Sequence, residues 1–363
     1  MTHKKWLALA LTATLALGSL TGCVTSQDAA KSSSSAAEKT DDNVLNVYTA
    51  FEEEQVEDYL SEFKKEHPDV TVNITRESTG VITSRLLAEK DNPVADVVWG
   101  LSATSLLQLK QQGMLEPYAP KGVDRIQPEF KDTDETPSWV GIDAWETAWL
   151  VNKEVLKEHG ITDIPKSYQD LLKPEYKGLI AMSNPASSGT GLLTVNGILS
   201  LYGDDAGWKY LDDLDKNVAV YMHSGSQPAS ETAAGEYGIG VSFGYRCLQA
   251  QQEVGKDICE VVFPEEGSGW DMEANALIKK DHEKPIAKEF LDWAISDNIM
   301  TKYGKNYPIV ATGESDNIPE GYSENPTDQL LKNIDFNKAA ENRDAILKEW
   351  SERYDAKSAP EDE

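Results

Sequence analysis

Apolar and polar positions alternate along the chain with two periods, and the periods trade places at regular intervals. Val44 to Val47 alternate, and Tyr48-Thr49-Ala50 close the run, which predicts a strand. Glu52 to His67 follow with Val56, Tyr59, Leu60 and Phe63 on one face at helical spacing, until Pro68-Asp69 breaks the pattern. Val70, Val72 and Ile74 restore strand alternation; Val81 to Lys90 read as an amphipathic helix entered through Ser78-Thr79-Gly80. Asp96 to Trp99 form a third short strand, and Leu101 to Gln112 a helix. This β-α-β-α-β-α order predicts a mostly parallel sheet whose loops gather at its carboxyl edge.

Ser138 to Asn152, with Trp139, Trp145 and Trp149, predict an extended crossover. A second α/β unit then runs from Tyr168-Gln169-Asp170-Leu171-Leu172 through Leu179 to Met182, Gly191 to Leu201 and Ile239 to Phe243. Asn275 to Lys279 predict a return strand; Glu283 to Ser296 and Thr327 to Tyr354 predict an all-α C-terminus. No internal repeat recurs at a fixed period. The expected architecture is two α/β lobes, the second inserted into the first: 44–142, then 143–271, then a return over 272–363.

The first 43 residues do not belong to that pattern. Met1 to Lys5 are basic, Trp6 to Leu17 are apolar but too few to span a bilayer, and Leu20-Thr21-Gly22-Cys23 resembles a bacterial lipobox. We read residues 1–22 as a signal segment, Cys23 as a lipidation site and 23–43, with its run Ser32 to Ser35, as a flexible tether. A secretory signal that happens to hold a cysteine is the alternative. The protein is thus expected outside the cytoplasm, held at the membrane by lipid.

Composition narrows the functions. Of 363 residues, 34 are Lys or Arg and 62 Asp or Glu, a formal charge of −28. Removing 1–22, which holds Lys4 and Lys5 and no acid, makes it −30. Such a chain lacks the basic surface that nucleic acid or an anionic membrane face requires. Besides Cys23 the only cysteines are Cys247 and Cys259, open to a disulfide or to two buried thiols. No catalytic or cofactor motif stands out: no G-x-S-x-G, Walker loop, H-E-x-x-H or paired C-x-x-C. His3, His67, His159, His223 and His282 are scattered and read as surface or capping residues. A binding protein fits better than an enzyme, and we expect no metal and no cofactor.

Four small-polar loops carry the candidate chemistry: Ser78-Thr79-Gly80, Ser102-Ala103-Thr104-Ser105, Asn184 to Gly191 and His223-Ser224-Gly225-Ser226. Hydroxyls, glycines and helix N-termini bind phosphate or carboxylate without Arg or Lys. Any one loop alone serves equally as a helix cap; four of them in one α/β chain point to an anion cleft. The candidates are Ser78, Thr79, Ser102, Ser187, Ser188, Gly189, Thr190 and Ser224, with Thr49 at a strand end. Glu52, Asp143 and Asp271, with Trp145, offer an ammonium site by charge and cation–π attraction. Helix-dipole compensation for Glu52 and crossover packing for the others are the alternatives.

Several stretches resemble solute-binding proteins of ABC importers with the type II periplasmic fold. They are Ser78 to Thr83, Lys90 to Gly100, Trp139 to Glu146, Asn184 to Gly191, Tyr221 to Ser226, Ser242 to Arg246 and Gly269-Trp270-Asp271. Within that family the likeness is to the 2-aminoethylphosphonate branch, related to ferric-iron-binding proteins. The resemblance implies a monomeric receptor whose lobes close across a hinge crossover on a small zwitterionic phosphonate and pass it to an ABC permease. Phosphate esters, ferric ion, polyamines or organic acids remain rival solutes, and a phosphonate hydrolase is the rival activity. Iron-binding relatives use a tyrosine pair with a His and a Glu. Here Phe243-Gly244-Tyr245 leaves one tyrosine, and Glu52 stands at the His position. Tyr245 is expected to face the cleft.

Overall fold

The computed structural model describes residues 42–315 and 318–360, with the side chain of Glu314 left out. The signal segment, Cys23 and all but the last two residues of the tether lie outside the described residues.

The first lobe begins with β1 (Val44–Thr49), α1 (Glu53–Glu66), β2 (Thr71–Arg76), α2 (Thr79–Ala88), β3 (Val97–Ser102), α3 (Ala103–Gln111) and the short β4 (Leu115–Glu116). The thirteen-residue β5 (Val140–Asn152) leads out of it. The second lobe follows with α4 (Lys153–Glu158), β6 (Ile180–Ser183), α5 (Gly189–Tyr202), α6 (Asp204–Asp215), β7 (Val218–Met222), α7 (Gln227–Ala233), β8 (Ile239–Phe243), α8 (Gly244–Val254) and β9 (Cys259–Val262). The chain returns through β10 (Trp270–Ile278), α9 (Pro285–Trp293), α10 (Asp297–Tyr303), β11 (Ile309–Val310), β12 (Gly313–Glu314) and α11 (Phe336–Tyr354).

The strands line up in the order β2-β1-β3-β10-β5-β8-β6-β7. Parallel pairing holds within each lobe, β1 with β2 and β3, and β6 with β7 and β8. The centre is antiparallel: β10 runs against both β3 and β5, and β5 against β8. β5 and β10 are therefore the strands that pass between the lobes.

Each lobe has its own core. In the first, the fully buried Trp99 packs edge-on to Phe51 and donates from its indole nitrogen to Tyr303 Oη at 2.9 Å. Asp96, 2% exposed, is held by Lys280 at 2.7 Å and Lys284 at 2.8 Å. In the second, Trp149, Tyr168, Tyr176 and Tyr221 are buried, and Trp350 and Tyr354 of α11 pack with them. The C-terminal helix thus contributes to the second core and also lies against α3. Its following residues run beside β7, where Ala359 N–H donates to Tyr221 C=O at 2.8 Å.

The observed elements depart from the pattern-based reading in four places. β3 runs on to Ser102 through Gly100, whose φ of +66° favours glycine and leaves room for the Phe51 ring, so α3 starts two residues later than expected. The predicted helix from Thr327 is broken: Leu330 bridges Ser268, Leu331 N–H donates to Ser268 C=O, and α11 begins only where Asp335 caps it by accepting from Lys338 N–H. The C-terminal part is not all-α, because β11 pairs with β12 and with β5. At Tyr168 to Leu172 there is only a single 3₁₀ turn over Asp170–Leu172. Of the two states open to Cys247 and Cys259, the structure holds free thiols, both buried in an apolar cluster with Ala148 and Leu150. Burial raises both thiols above their ordinary value, Cys259 to about 11.

Candidate functional site

Between the lobes lies a cleft of about 480 Å³, counted to its mouth. One wall is made of helix starts. α2 enters through Ser78, α3 through Ser102 and α5 through Ser188, and none of these helices carries an acidic residue in its first turn. Ser102 Oγ accepts from Ser105 N–H at 3.2 Å, and Ser188 Oγ accepts from Gly191 N–H at 3.3 Å. The hydroxyl of Ser78 makes no such cap. Ser224 Oγ accepts from Ser226 N–H at 3.2 Å in the loop after β7. The positive ends of α2 and α5 give this wall its anion-binding character.

The lobes touch directly at this wall. Gly80 N–H donates to Ser187 C=O at 2.9 Å across the cleft. A Cβ on Gly80 would lie 2.3 Å from Ala186 O, and one on Gly189 would lie 2.6 Å from Thr79 Oγ1. Only glycine admits so close an approach of the two loops.

The rest of the lining is acidic and aromatic and adjoins the helix starts, a Cβ on Gly189 lying 3.0 Å from Trp145 Cη2. Glu52 accepts a 2.6 Å ion pair from Arg76, whose Nε also donates to Phe51 C=O at 2.8 Å. Burial raises the Glu52 carboxyl, opposed by Arg76 and Ser226. Glu273 on β10 stands opposite Asp143 on β5, and both are buried. Burial holds both carboxyls well above the ordinary range, with mutual repulsion adding for Glu273. The register of β10 on β5 slips between Glu273 and Ala274, a bulge that re-aims side chains at this point. Trp145 lines the cleft with its indole nitrogen unpartnered and stands edge-on to Phe243, ring centres 5.9 Å apart.

Nine of the residues expected from the sequence line the cleft together: Glu52, Ser78, Thr79, Ser102, Trp145, Ser188, Gly189, Thr190 and Ser224. Five stand behind it. Thr49 Oγ1 accepts from Phe51 N–H, Ser187 Oγ donates to His223 C=O at 2.8 Å, and Tyr245 packs against Phe243 and Tyr307. Asp143 lies behind Glu273. Asp271 sits on the start of α3, where its Oδ2 accepts from Thr104 Oγ1 at 2.6 Å and Ala103 and Thr104 N–H approach it. That carboxylate compensates the helix dipole of α3 instead of facing a solute.

Sequence reasoning missed Arg76, Glu273, Gln55 and Tyr307 on the wall. Arg76 had a signal: it continues the apolar face of Val72 and Ile74, where a cation is out of place. Glu273 had one too, a second acid two residues after Asp271 and set between the apolar Met272 and Ala274. Gln55 and Tyr307 had none.

Residues 92–340, more than half of the chain, match the family described as bacterial extracellular solute-binding proteins. The chain belongs to that family. An uncharacterised protein of Haemophilus influenzae is 30% identical to this solute-binding protein over 293 residues, 78% of this chain and 82% of that one. A probable ABC transporter periplasmic-binding protein of Sinorhizobium fredii is 26% identical, covering 68% and 67% of the two chains. Among solved structures, the periplasmic binding protein AfuA of Actinobacillus pleuropneumoniae, with fructose 6-phosphate bound, superposes with a TM-score of 0.76 at 26% identity over 86% of this chain and 98% of its own. The expected α/β, two-lobed type II periplasmic-binding fold with a crossover between lobes is therefore the observed one. Solute-binding proteins of this kind capture a small ligand for an ABC permease. No helix among the described residues is long and apolar enough to cross a membrane.

Proposed function

We propose that this solute-binding protein captures 2-aminoethylphosphonate or a close phosphonate for its ABC permease, as a monomer held at the outer face of the membrane through lipid on Cys23. One observation carries the reading: acid-free starts of α2 and α5 line the same cleft as Glu52, Glu273 and Trp145. The phosphonate head takes the helix starts, with Ser78, Thr79, Ser188, Thr190 and Ser224 as hydroxyl donors and Arg76 adding charge. The ammonium takes the carboxyl end, where Trp145 contributes cation–π attraction. A charge near −30 repels anions at long range, so local donors and a cationic tail must offset that field.

A phosphorylated sugar is the second reading, favoured by the fructose 6-phosphate in the similar AfuA structure and by the withdrawal of Asp143 and Asp271 from the wall. In that reading Glu273, Gln55 and Tyr307 meet hydroxyls.

Calorimetry with 2-aminoethylphosphonate, fructose 6-phosphate, inorganic phosphate and ferric citrate decides between them. The aminophosphonate is expected to bind most tightly and bare phosphate much more weakly. Arg76→Gln should weaken both organic anions about tenfold or more, the scale of one charge-assisted hydrogen bond. Tightest binding of fructose 6-phosphate selects the second reading; preference for bare phosphate or iron removes both.

A further inference from the structure

Asp143 and Glu273 form a buried acid pair that no cation pairs with; the Tyr307 hydroxyl is the neutral group that hydrogen-bonds Glu273. They stand directly opposite one another across β5 and β10, beside the bulge, at 0% and 8% exposure. Both oxygens of Asp143 and Oε2 of Glu273 have no hydrogen-bond partner. The groups that face them are acidic or neutral: Glu146 from β5, Glu52 from the start of α1, Tyr59 from α1, Tyr245 from α8, Tyr303 from α10, Tyr307 after it, and Tyr322. Arg76, the one basic residue among those lining the cleft, gives its Nη2 to Glu52 and its Nε to Phe51 C=O. Two carboxylates are costly to keep charged side by side in such surroundings, since each would face the other with no cation paired to either. Of the two, only Glu273 reaches the cleft wall.

We propose that Asp143 and Glu273 share a proton in the free protein and that a cationic solute group entering beside Glu273 expels it, so that capture releases a proton. The carboxyl O–H bond breaks, its proton goes to water, and the solute ammonium takes its place as the counter-charge of the new carboxylate. Nothing is oxidised or reduced. The exchange rests on the amine-bearing solute proposed above, whereas the shared proton rests on the pair alone. Affinity for an amine solute then rises with pH, by at most about tenfold per unit while the free pair still holds its proton. Affinity for an anion without an amine does not follow that slope. Glu273 in this way makes the cleft discriminate between cationic and neutral tails, with Asp143 as its positioning partner.

Two measurements test the idea. The first uses no solute: carboxyl-carbon NMR titration of the full chain labelled at Asp and Glu, with signals assigned through Glu273→Gln and Asp143→Asn. One of the two carboxyls should remain protonated at neutral pH; two ordinary carboxylate titrations overturn the shared proton and the exchange with it. The second is calorimetry of 2-aminoethylphosphonate and ethylphosphonate in buffers of different ionisation enthalpy. With each ligand's own phosphonate ionisation subtracted, the amine ligand should release up to about one proton more than ethylphosphonate. Glu273→Gln should abolish the release, flatten the pH dependence and weaken the amine ligand about tenfold. Asp143→Asn should reduce the release. Amine binding without proton release overturns the exchange. Binding of ethylphosphonate or fructose 6-phosphate, with none of the amine ligand, overturns both the exchange and the aminophosphonate reading; the NMR titration still decides the pair.

Discussion

The helix-start end of the cleft lining and the carboxyl end that adjoins it are built on opposite principles. At the helix-start end nearly every polar group serves the fold locally before it meets a solute. Ser102 and Ser188 cap their helices, Ser224 closes a turn, and Ser187 ties two loops together. Such an end costs the protein little, because an N-terminal turn must be satisfied whether or not an anion arrives. At the carboxyl end Asp143, Glu273 and Glu146 are buried with oxygens that no donor reaches. That end subtracts from stability, and the expense falls when the acids are protonated. Affinity for the anion therefore rides on the scaffold, while discrimination of the tail is maintained against the scaffold's interest.

The sharpest way to break this comparison is to stop the two lobes from closing over the cleft. Gly80→Val places a Cβ within 2.3 Å of Ala186 O and 2.7 Å of Ser187 O, both main-chain atoms that cannot step aside. Overpacking of a rigid contact costs about 1–3 kcal/mol, and here the whole of it falls on the closed arrangement. Solute affinity should drop by up to about 150-fold, since the apparent Kd scales inversely with the population able to bind. Calorimetry reads the loss, and small-angle scattering should show no compaction on adding solute. The melting temperature should hardly move, because Gly80 touches the opposite loop and not its own lobe's core. A variant that binds normally would show that the Gly80–Ser187 contact is incidental to capture.

Much of the helix-start end was legible from the sequence because its determinants are local. Ser-Thr-Gly before an amphipathic run, or Ser-Ser-Gly-Thr before another, announces a helix start within a few residues of its own ligands. The carboxyl end was legible only in its residue types. Asp143 and Glu273 meet through strand register over 130 positions, shifted by a bulge that no alternation pattern encodes. Asp271 looked equally available, yet α3 claims it. The same split runs through the fold. β1 to α3 follow their periodicity closely, whereas the residues before α11 gave up a helical pattern to bridge Ser268 from a distant part of the chain.

A smaller effect sharpens the cost of the carboxyl end. Burial alone raises Glu146 to about 8, and its Oε1 has no partner. The folded value lies above the unfolded one, near 4.5, so the folded state holds a proton that the unfolded state releases. Stability is then greatest below the unfolded value and declines as pH rises towards about 8, where it levels off. Between pH 6 and 8 the loss should be roughly 2 kcal/mol for this one group. Glu146→Gln carries no such titration. Chemical denaturation of both proteins at several pH values should therefore show the wild type losing about that much relative to the variant. Parallel pH profiles would mean that Glu146 is ionised at little cost, and that this end of the cleft is less expensive than its burial implies.

The smallest effect asks how finely the helix-start end is drawn. Ser187 and Ser188 are neighbours in one loop, and the sequence offers no reason to separate them. In the structure only Ser188 lines the cleft, whereas the Ser187 hydroxyl donates to His223 C=O and its carbonyl receives Gly80 N–H. Ser187→Ala removes the side-chain bond but leaves the main-chain contact in place. It should cost about 1 kcal/mol of stability, the net worth of one hydrogen bond, and change solute affinity by no more than about twofold. Ser188→Ala removes both a helix cap and a hydroxyl facing the solute, so its loss of stability should be similar and its loss of affinity several-fold larger. Thermal unfolding and calorimetry on the two variants separate the cases. Equal affinity losses would place the Ser187 hydroxyl in the cleft when solute is bound, and the loop would then have to turn during capture.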